Sequence, residues 1–237
     1  MQTIGLLGGM SWESTLGYYQ TINQLVKDSL GGFHSAKIIL NSVDFAQIEK
    51  LQQQGNWQAT AQILSSEAKN IELAGASFLL ICTNTMHKVA PEIAQAINIP
   101  VVHIADATAE HIIKQGFTKV ALLGTAYTME QEFYKGRLIS HYGLSVITPD
   151  EDDRKVVHQV IYNELCLGKI CKKSKSDYLT IIEKLTAQGA QAIILGCTEI
   201  GLLVKQQDTQ TPLVDTTYIH AKKAVELAIS LESRQKD

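Results

Sequence analysis

The chain has 237 residues, 45% of them hydrophobic, and a net charge of −3. That is enough apolar material for two small domains or one large one. It excludes a strongly basic nucleic-acid binder, since the densest Lys/Arg run, Lys169 to Lys175, is short, and no stretch approaches the roughly 20 apolar residues of a membrane span.

In chain order, Thr3 to Leu7 reads as an apolar strand running into the tight turn Gly8-Gly9-Met10-Ser11. It lacks the basic region of a signal peptide, which points to the cytoplasm. The spacing is not GxGxxG, so a dinucleotide fingerprint is not supported. A helix is expected over 12–30, closed by Gly31-Gly32, and a strand over 37–43, ending at Asp44. A second helix is expected over 57–74 and a third strand over 78–82. A helix over 88–96 leads to a strand at 98–103, entered through Pro100. After a helix over 105–115 the plan starts again with a strand at 119–125. Helix 129–142, strand 145–148, helices 154–167 and 176–188, strand 192–195 and the proline-entered strand 211–215 follow. An amphipathic helix over 219–231 and a frayed polar tail close the chain.

Strands alternating with helices predict a parallel α/β architecture. It reads as duplicated. Gly8 and Gly124, Cys82 and Cys197, and Pro100 and Pro212 recur in the same order at similar spacing. The expected division is residues 1–104 plus 217–237 as one α/β domain and 105–216 as the other. They would be two similar domains, each a parallel sheet flanked by helices, related by a pseudo-twofold axis with the site between them.

Two stretches carry the chemistry. Phe78-Leu79-Leu80-Ile81 runs into Cys82-Thr83-Asn84-Thr85-Met86-His87, and Ala192-Ile193-Ile194-Leu195 runs into Gly196-Cys197-Thr198-Glu199. Ligands of open α/β sheets bind beyond the carboxyl ends of strands. A cysteine, with a reference pKa of about 8.5, is a tunable proton carrier. Two proton carriers on opposite faces of one carbon invert a stereocentre without redox change. The carbanion formed between them needs preorganised donors. Hydroxyls and backbone N–H groups at Met10, Ser11, Asn84, Thr85, Thr125 and Thr198 sit at strand ends, where they can serve. The four cysteines are too scattered for a disulfide scaffold, and the sequence has neither a CxxC nor an HExxH to argue for a metal.

The segments Ile4-Gly5-Leu6-Leu7-Gly8-Gly9-Met10-Ser11-Trp12, Asn84-Thr85-Met86-His87 and Gly196-Cys197-Thr198-Glu199 resemble the aspartate/glutamate racemase family, the cofactor-independent amino-acid racemases. The resemblance runs from end to end. It implies two α/β domains, no cofactor or metal, a small amino-acid substrate, and a homodimer, with no nucleic-acid or membrane partner. The first-half motif of the family is usually Cys-Asn-Thr, whereas this chain has Cys82-Thr83-Asn84-Thr85. Register on Asn-Thr puts Thr83, not Cys82, in the catalytic slot, as in a bacterial L-aspartate/glutamate-specific subgroup with a Thr/Cys pair. Cys197 would then serve the L-face and Thr83 the opposite one. The internal repeat pulls the other way, because Cys82-Thr83 aligns naively with Cys197-Thr198.

Glu199 is expected to orient the thiol or meet the substrate ammonium, and Gln52 to meet the substrate side chain; Glu164 is a weaker candidate. Cys82, Cys166 and Cys171 read as structural. Arg137 and Arg154 read as helical ion-pair partners, with Arg234 in the tail and Lys169 a further candidate for the substrate's second carboxylate. The related activities that also need one proton-delivering cysteine are hydantoin racemisation and decarboxylation of a malonate-type acid. A degenerate acidic-amino-acid-binding protein is the reading from a different class.

Overall fold

The computed structural model describes residues 1–230 and divides the chain into two compact units. One unit consists of Met1–Ile104 and the chain from Thr217 onward; the other consists of Ala105–Thr216.

The first unit contains β1 (Ile4–Gly8), α1 (Trp12–Leu30), β2 (Ile38–Ser42), α2 (Phe45–Gln53), α3 (Trp57–Leu73) and β3 (Phe78–Ile81). A 3₁₀ turn at Thr85–Val89, α4 (Ala90–Ala96) and β4 (Val101–Val102) complete its first pass. The second unit contains α5 (Ile104–Lys114) from its second residue onward, β5 (Lys119–Gly124), α6 (Ala126–Glu130), α7 (Lys135–Tyr142), β6 (Ser145–Ile147) and α8 (Glu151–Asn163). Then come α9 (Lys172–Ala187), β7 (Ala192–Gly196), α10 (Ile200–Leu203) and β8 (Leu213–Asp215). The closing helix, α11 (Thr216–Ile229), returns the chain to the first unit.

Each unit holds a four-stranded parallel sheet, ordered β2-β1-β3-β4 in the first and β6-β5-β7-β8 in the second. Strands covered by helices on both faces read as continuous apolar runs, and β1, β3 and β7 are buried throughout. Alternation along β3 then sorts its side chains. Leu79 and Ile81 pack in the cluster that contains Leu64, Ile71 and Ile93, on α3 and α4. Phe78, Leu80 and Cys82 pack with Tyr18, Ile22, Ala221 and Ala224, on α1 and α11.

Several boundaries differ from the sequence reading. Helix α2 was not expected; the Asp44 side chain caps it by accepting from Ala46 N–H at 3.1 Å, and Ile48 and Gln52 are buried along it. The helix expected over 88–96 is a 3₁₀ turn followed by α4, with Pro91 in the first turn of α4, where its missing N–H costs nothing. The helix expected over 129–142 is two helices, because Thr125 caps α6 early and Gln131 is extended. Asp150 starts α8 at Glu151, and a 3₁₀ turn at Leu165–Leu167 follows it. Helix α9 begins at Lys172 rather than Ser176, and α11 begins at Thr216 rather than Ile219. The polar tail lies outside the described residues.

The two sheets share one hydrogen-bond register. Ser77 N–H donates to the Thr3 carbonyl at 2.8 Å, and Gln191 N–H to the Lys119 carbonyl at 2.9 Å. Leu79 N–H donates to the Pro100 carbonyl at 2.9 Å, and Ile193 N–H to the Pro212 carbonyl at 2.8 Å. Gly5 lies opposite Leu79 as Ala121 lies opposite Ile193. Counting on from these pairs, Gly8 corresponds to Gly124, Cys82 to Gly196, Thr83 to Cys197 and Asn84 to Thr198.

At Gly196 the packing of β7 leaves no room for a side chain. A Cβ there would lie 2.6 Å from Leu122 Cδ1 and 2.9 Å from the Leu123 carbonyl oxygen, which belongs to backbone and cannot turn aside. Gly196→Ala is therefore expected to destabilise the fold by about 1–3 kcal/mol, read from the midpoint of urea unfolding. An unchanged midpoint would show that β5 and β7 can separate there at no cost.

Candidate active site

At the carboxyl end of β1 the chain turns through Gly9, Met10 and Ser11. Gly9 sits at φ 91°, and a side chain there would collide with the Val43 carbonyl oxygen, so the turn requires glycine. Its N–H donates to Thr15 Oγ1 at 2.8 Å. Ser11 caps α1, its hydroxyl oxygen accepting from Ser14 N–H at 3.3 Å. Met10 and Ser11 are both buried.

The neighbouring strand, β3, ends in the first key loop. Cys82 N–H continues the ladder by donating to the Leu7 carbonyl at 2.9 Å, and Thr83 N–H then folds back onto the Ile81 carbonyl at 2.9 Å. The Cys82 side chain is fully buried in the core beneath α1 and α11, and its Sγ has the Leu80 carbonyl at 3.9 Å. Burial pushes this thiol far above the ordinary range. Thr83, Asn84 and Thr85 follow, with Thr83 9% exposed. These three therefore share one sheet end with Met10 and Ser11, since β1 and β3 pair directly. Gln52 comes from a different element, α2, and is 2% exposed, so it is not the solvated loop residue that its polar surroundings in sequence allow.

The loop beyond β7 gathers the second group. Cys197 is buried, and its Sγ–H donates to Glu199 Oε2 at 2.9 Å. Thr198 Oγ1 donates to the same carboxylate oxygen at 2.8 Å. Glu199 is 3% exposed. Burial, and then the Glu199 charge, hold the Cys197 thiol well above the ordinary range, so its resting state is protonated. Thr125 stands at the end of the adjacent strand β5 and caps α6, accepting from Thr128 N–H at 3.3 Å. The second sheet thus brings Thr125, Cys197, Thr198 and Glu199 to one end.

Two arginines are committed elsewhere. Arg137 makes a bidentate pair with Asp106 at 2.6 and 2.7 Å, and Arg154 binds Glu130 at 2.9 Å and the Pro149 carbonyl at 2.7 Å. Glu164 accepts from Ser174 Oγ at 2.6 Å at the end of α8, and Lys169 is exposed. Arg234 lies outside the described residues.

A model of the Asp/Glu/hydantoin racemase family matches residues 7–224. The chain belongs to that family. It is 26% identical over 166 residues to a broad specificity amino-acid racemase of Bacillus subtilis, covering 70% of this chain and 71% of the relative. The crystal structure of a candidate Asp/Glu racemase from Yersinia pestis is 57% identical, with a TM-score of 0.90 over 97% of this chain and all of that one. An aspartate racemase homologue from Pyrococcus horikoshii is 35% identical, with a TM-score of 0.83 over 96% and 99% of the two chains. The racemase family is one of isomerases, and the two parallel sheets flanked by helices match its two-domain structures.

His87 is the site-loop residue whose part the sequence left undecided. Its Nδ1 lies 2.8 Å from the Thr83 carbonyl oxygen, and its Nε2 lies 3.1 Å from Ile104 N–H. A lone histidine four residues after a threonine carries no signal of that arrangement.

Proposed function

We propose that the protein racemises an acidic amino acid, aspartate or glutamate, without a cofactor, by two-base proton transfer at the α-carbon. Cys197 takes the α-proton from the L-form, and Thr83 delivers a proton on the opposite face. The observation that supports this most is the common register of the two sheets. It makes Thr83 the counterpart of Cys197 in register, Thr83 two positions past the end of β3 and Cys197 one past the end of β7, each followed by polar residues.

Cys197 rests as a thiol hydrogen-bonded to Glu199. In the first step the thiol proton passes to the Glu199 carboxylate, leaving a thiolate and a carboxylic acid. The thiolate then takes the α-proton, and the electron pair spreads into the substrate carboxylate. Ser11, Asn84, Thr85, Thr125 and Thr198 supply the N–H and hydroxyl donors for that charge. Met10 and Gln52 shape the pocket for the side chain. Thr83 gives its hydroxyl proton to the carbanion while taking one from water, and the Glu199 carboxylic acid gives its proton to the hydroxide so formed, so both residues end unchanged. A threonine hydroxyl relays a proton but is a poor base compared with a thiolate, so removal of the α-proton from D-substrate is the slower direction. This reading includes a homodimer in the cytoplasm, on the resemblance to the family.

Proton NMR of L- and D-aspartate and L- and D-glutamate in deuterated buffer tests it. The α-proton signal of an L-substrate is expected to disappear at least about tenfold faster than that of its D-partner, as a hydroxyl in place of a thiolate base implies. Equal rates from both enantiomers would remove the Thr83 assignment. Exchange in a 5-substituted hydantoin but in none of the four amino acids would move the substrate class to hydantoins, which the family description includes.

A further inference from the structure

We propose that His87 is a positioning residue for Thr83, holding the Thr83 carbonyl on one ring nitrogen and the residue where the chain leaves the first unit on the other. The inference rests on the catalytic reading of Thr83 above.

A carbonyl oxygen only accepts and a backbone N–H only donates. The Thr83 carbonyl at 2.8 Å therefore requires a proton on His87 Nδ1, and Ile104 N–H at 3.1 Å requires a lone pair on Nε2. Both ring nitrogens are assigned and the ring is neutral. His87 is 1% exposed, so the two bonds are shielded from water. Ile104 is the last residue of the first unit before the chain crosses into the second.

The return crossing is tied to the same place. The chain re-enters the first unit at Thr217, and His220 follows one turn later. Its ring centroid lies 5.9 Å from that of His87. His220 Nε2 donates to the Val102 carbonyl at 2.7 Å, two residues before the outgoing crossing, and its Nδ1 accepts from Tyr18 Oη at 2.8 Å. Burial, with the His87 ring adding to it, pushes His220 down to about 3, so it too is neutral through the physiological range. Both crossings and the Thr83 backbone thus meet at the buried neutral imidazoles of His87 and His220, with the half-buried His103 ring 4.5 Å from that of His87. A hydroxyl that reaches a carbanion only from a defined direction depends on where its own backbone is held.

Two substitutions separate the two bonds. In His87→Asn the side-chain amide nitrogen takes the place of Nδ1 and can donate to Thr83, but cannot reach Ile104. In His87→Gln the amide oxygen reaches the place of Nε2 and can accept from Ile104, but the Thr83 bond is lost. Inversion and α-proton washout of L-aspartate are followed together in deuterated buffer. If Thr83 is mispositioned, Cys197 still removes the α-proton and returns deuterium to the same face, so washout continues without inversion. The ratio of inversion to washout is expected to fall about tenfold in His87→Gln, with KM changed less than about threefold, and to stay within about twofold of wild type in His87→Asn.

An unchanged ratio in His87→Gln, or equal falls in both variants, would overturn the proposal. Should neither variant fold, ¹⁵N-histidine NMR of the wild-type protein decides: a protonated Nδ1 and bare Nε2 are expected for His87, and the opposite tautomer overturns it. Absence of any exchange in the wild-type enzyme would overturn the racemase reading and this one with it. Exchange in wild type with an unaltered ratio in His87→Gln would overturn this one alone.

Discussion

Cys197→Ser is expected to lower α-proton exchange from L-aspartate and L-glutamate by about a thousandfold, ~4 kcal/mol of transition-state stabilisation, as loss of a positioned base does. Cys82→Ala is expected to leave the rate within about threefold and to reduce stability by about 1–2 kcal/mol, the cost of a small core truncation. The contrast follows from placement. Cys197 sits past the end of β7 with its thiol on Glu199, whereas Cys82 is packed with Phe78, Leu80, Ala221 and Ala224. Exchange assays on both variants, with urea unfolding run alongside, check the pair of outcomes. Exchange that survives in Cys197→Ser but fails in a folded Cys82→Ala would exchange the roles of the two thiols.

Glu199→Gln is expected to change the pH profile in two separable ways. In the proposed reaction the active form of Cys197 is the thiolate, and burial and the neighbouring carboxylate both oppose it. The wild-type rate should therefore climb with pH through and beyond the ordinary thiol range, about 8.5. Removing the carboxylate removes the like charge, so the limb moves to lower pH. It also removes the group that receives the thiol proton, so the pH-independent rate below the limb, where the thiol is still protonated, falls by about ten- to a hundredfold on the scale of general-base effects. Alkylation of Cys197 by iodoacetamide against pH reports the limb without turnover, and the exchange assay at pH below the limb reports the rate there. A limb that stays in place would mean that Glu199 is not what raises the thiol. A rate below the limb that stays would mean that water, not Glu199, takes the proton.

Much of the fold was legible because parallel strands buried on both faces are written as uninterrupted apolar runs. Ile4 to Leu7, Phe78 to Ile81 and Ala192 to Leu195 all announce themselves this way. Glycine and proline punctuation placed the ends of α1 and α3 and the entries to β4 and β8. Helix α2 was missed because it is short, and its first signal is a lone Asp44 cap in a polar stretch. The split between α6 and α7 was missed because the turn between them carries no glycine or proline.

By itself the sequence determined the alternation of strand and helix, the repeated unit, and a nucleophile-bearing loop after the third strand of each half. Those are local properties: runs of one polarity, capping residues, and short motifs at strand ends. Which loop residue of the first half answers to Cys197 was not local. The letters align Cys82-Thr83 with Cys197-Thr198, yet a one-residue slip reverses which face every side chain meets. The family resemblance favoured Thr83, and the hydrogen bonds between strands far apart in sequence, Leu79 to Pro100 and Ile193 to Pro212, give the register in which Thr83 corresponds to Cys197. The same holds for His87, which meets the Thr83 carbonyl, one turn away, and Ile104 N–H, which tertiary folding alone carries to its other ring nitrogen.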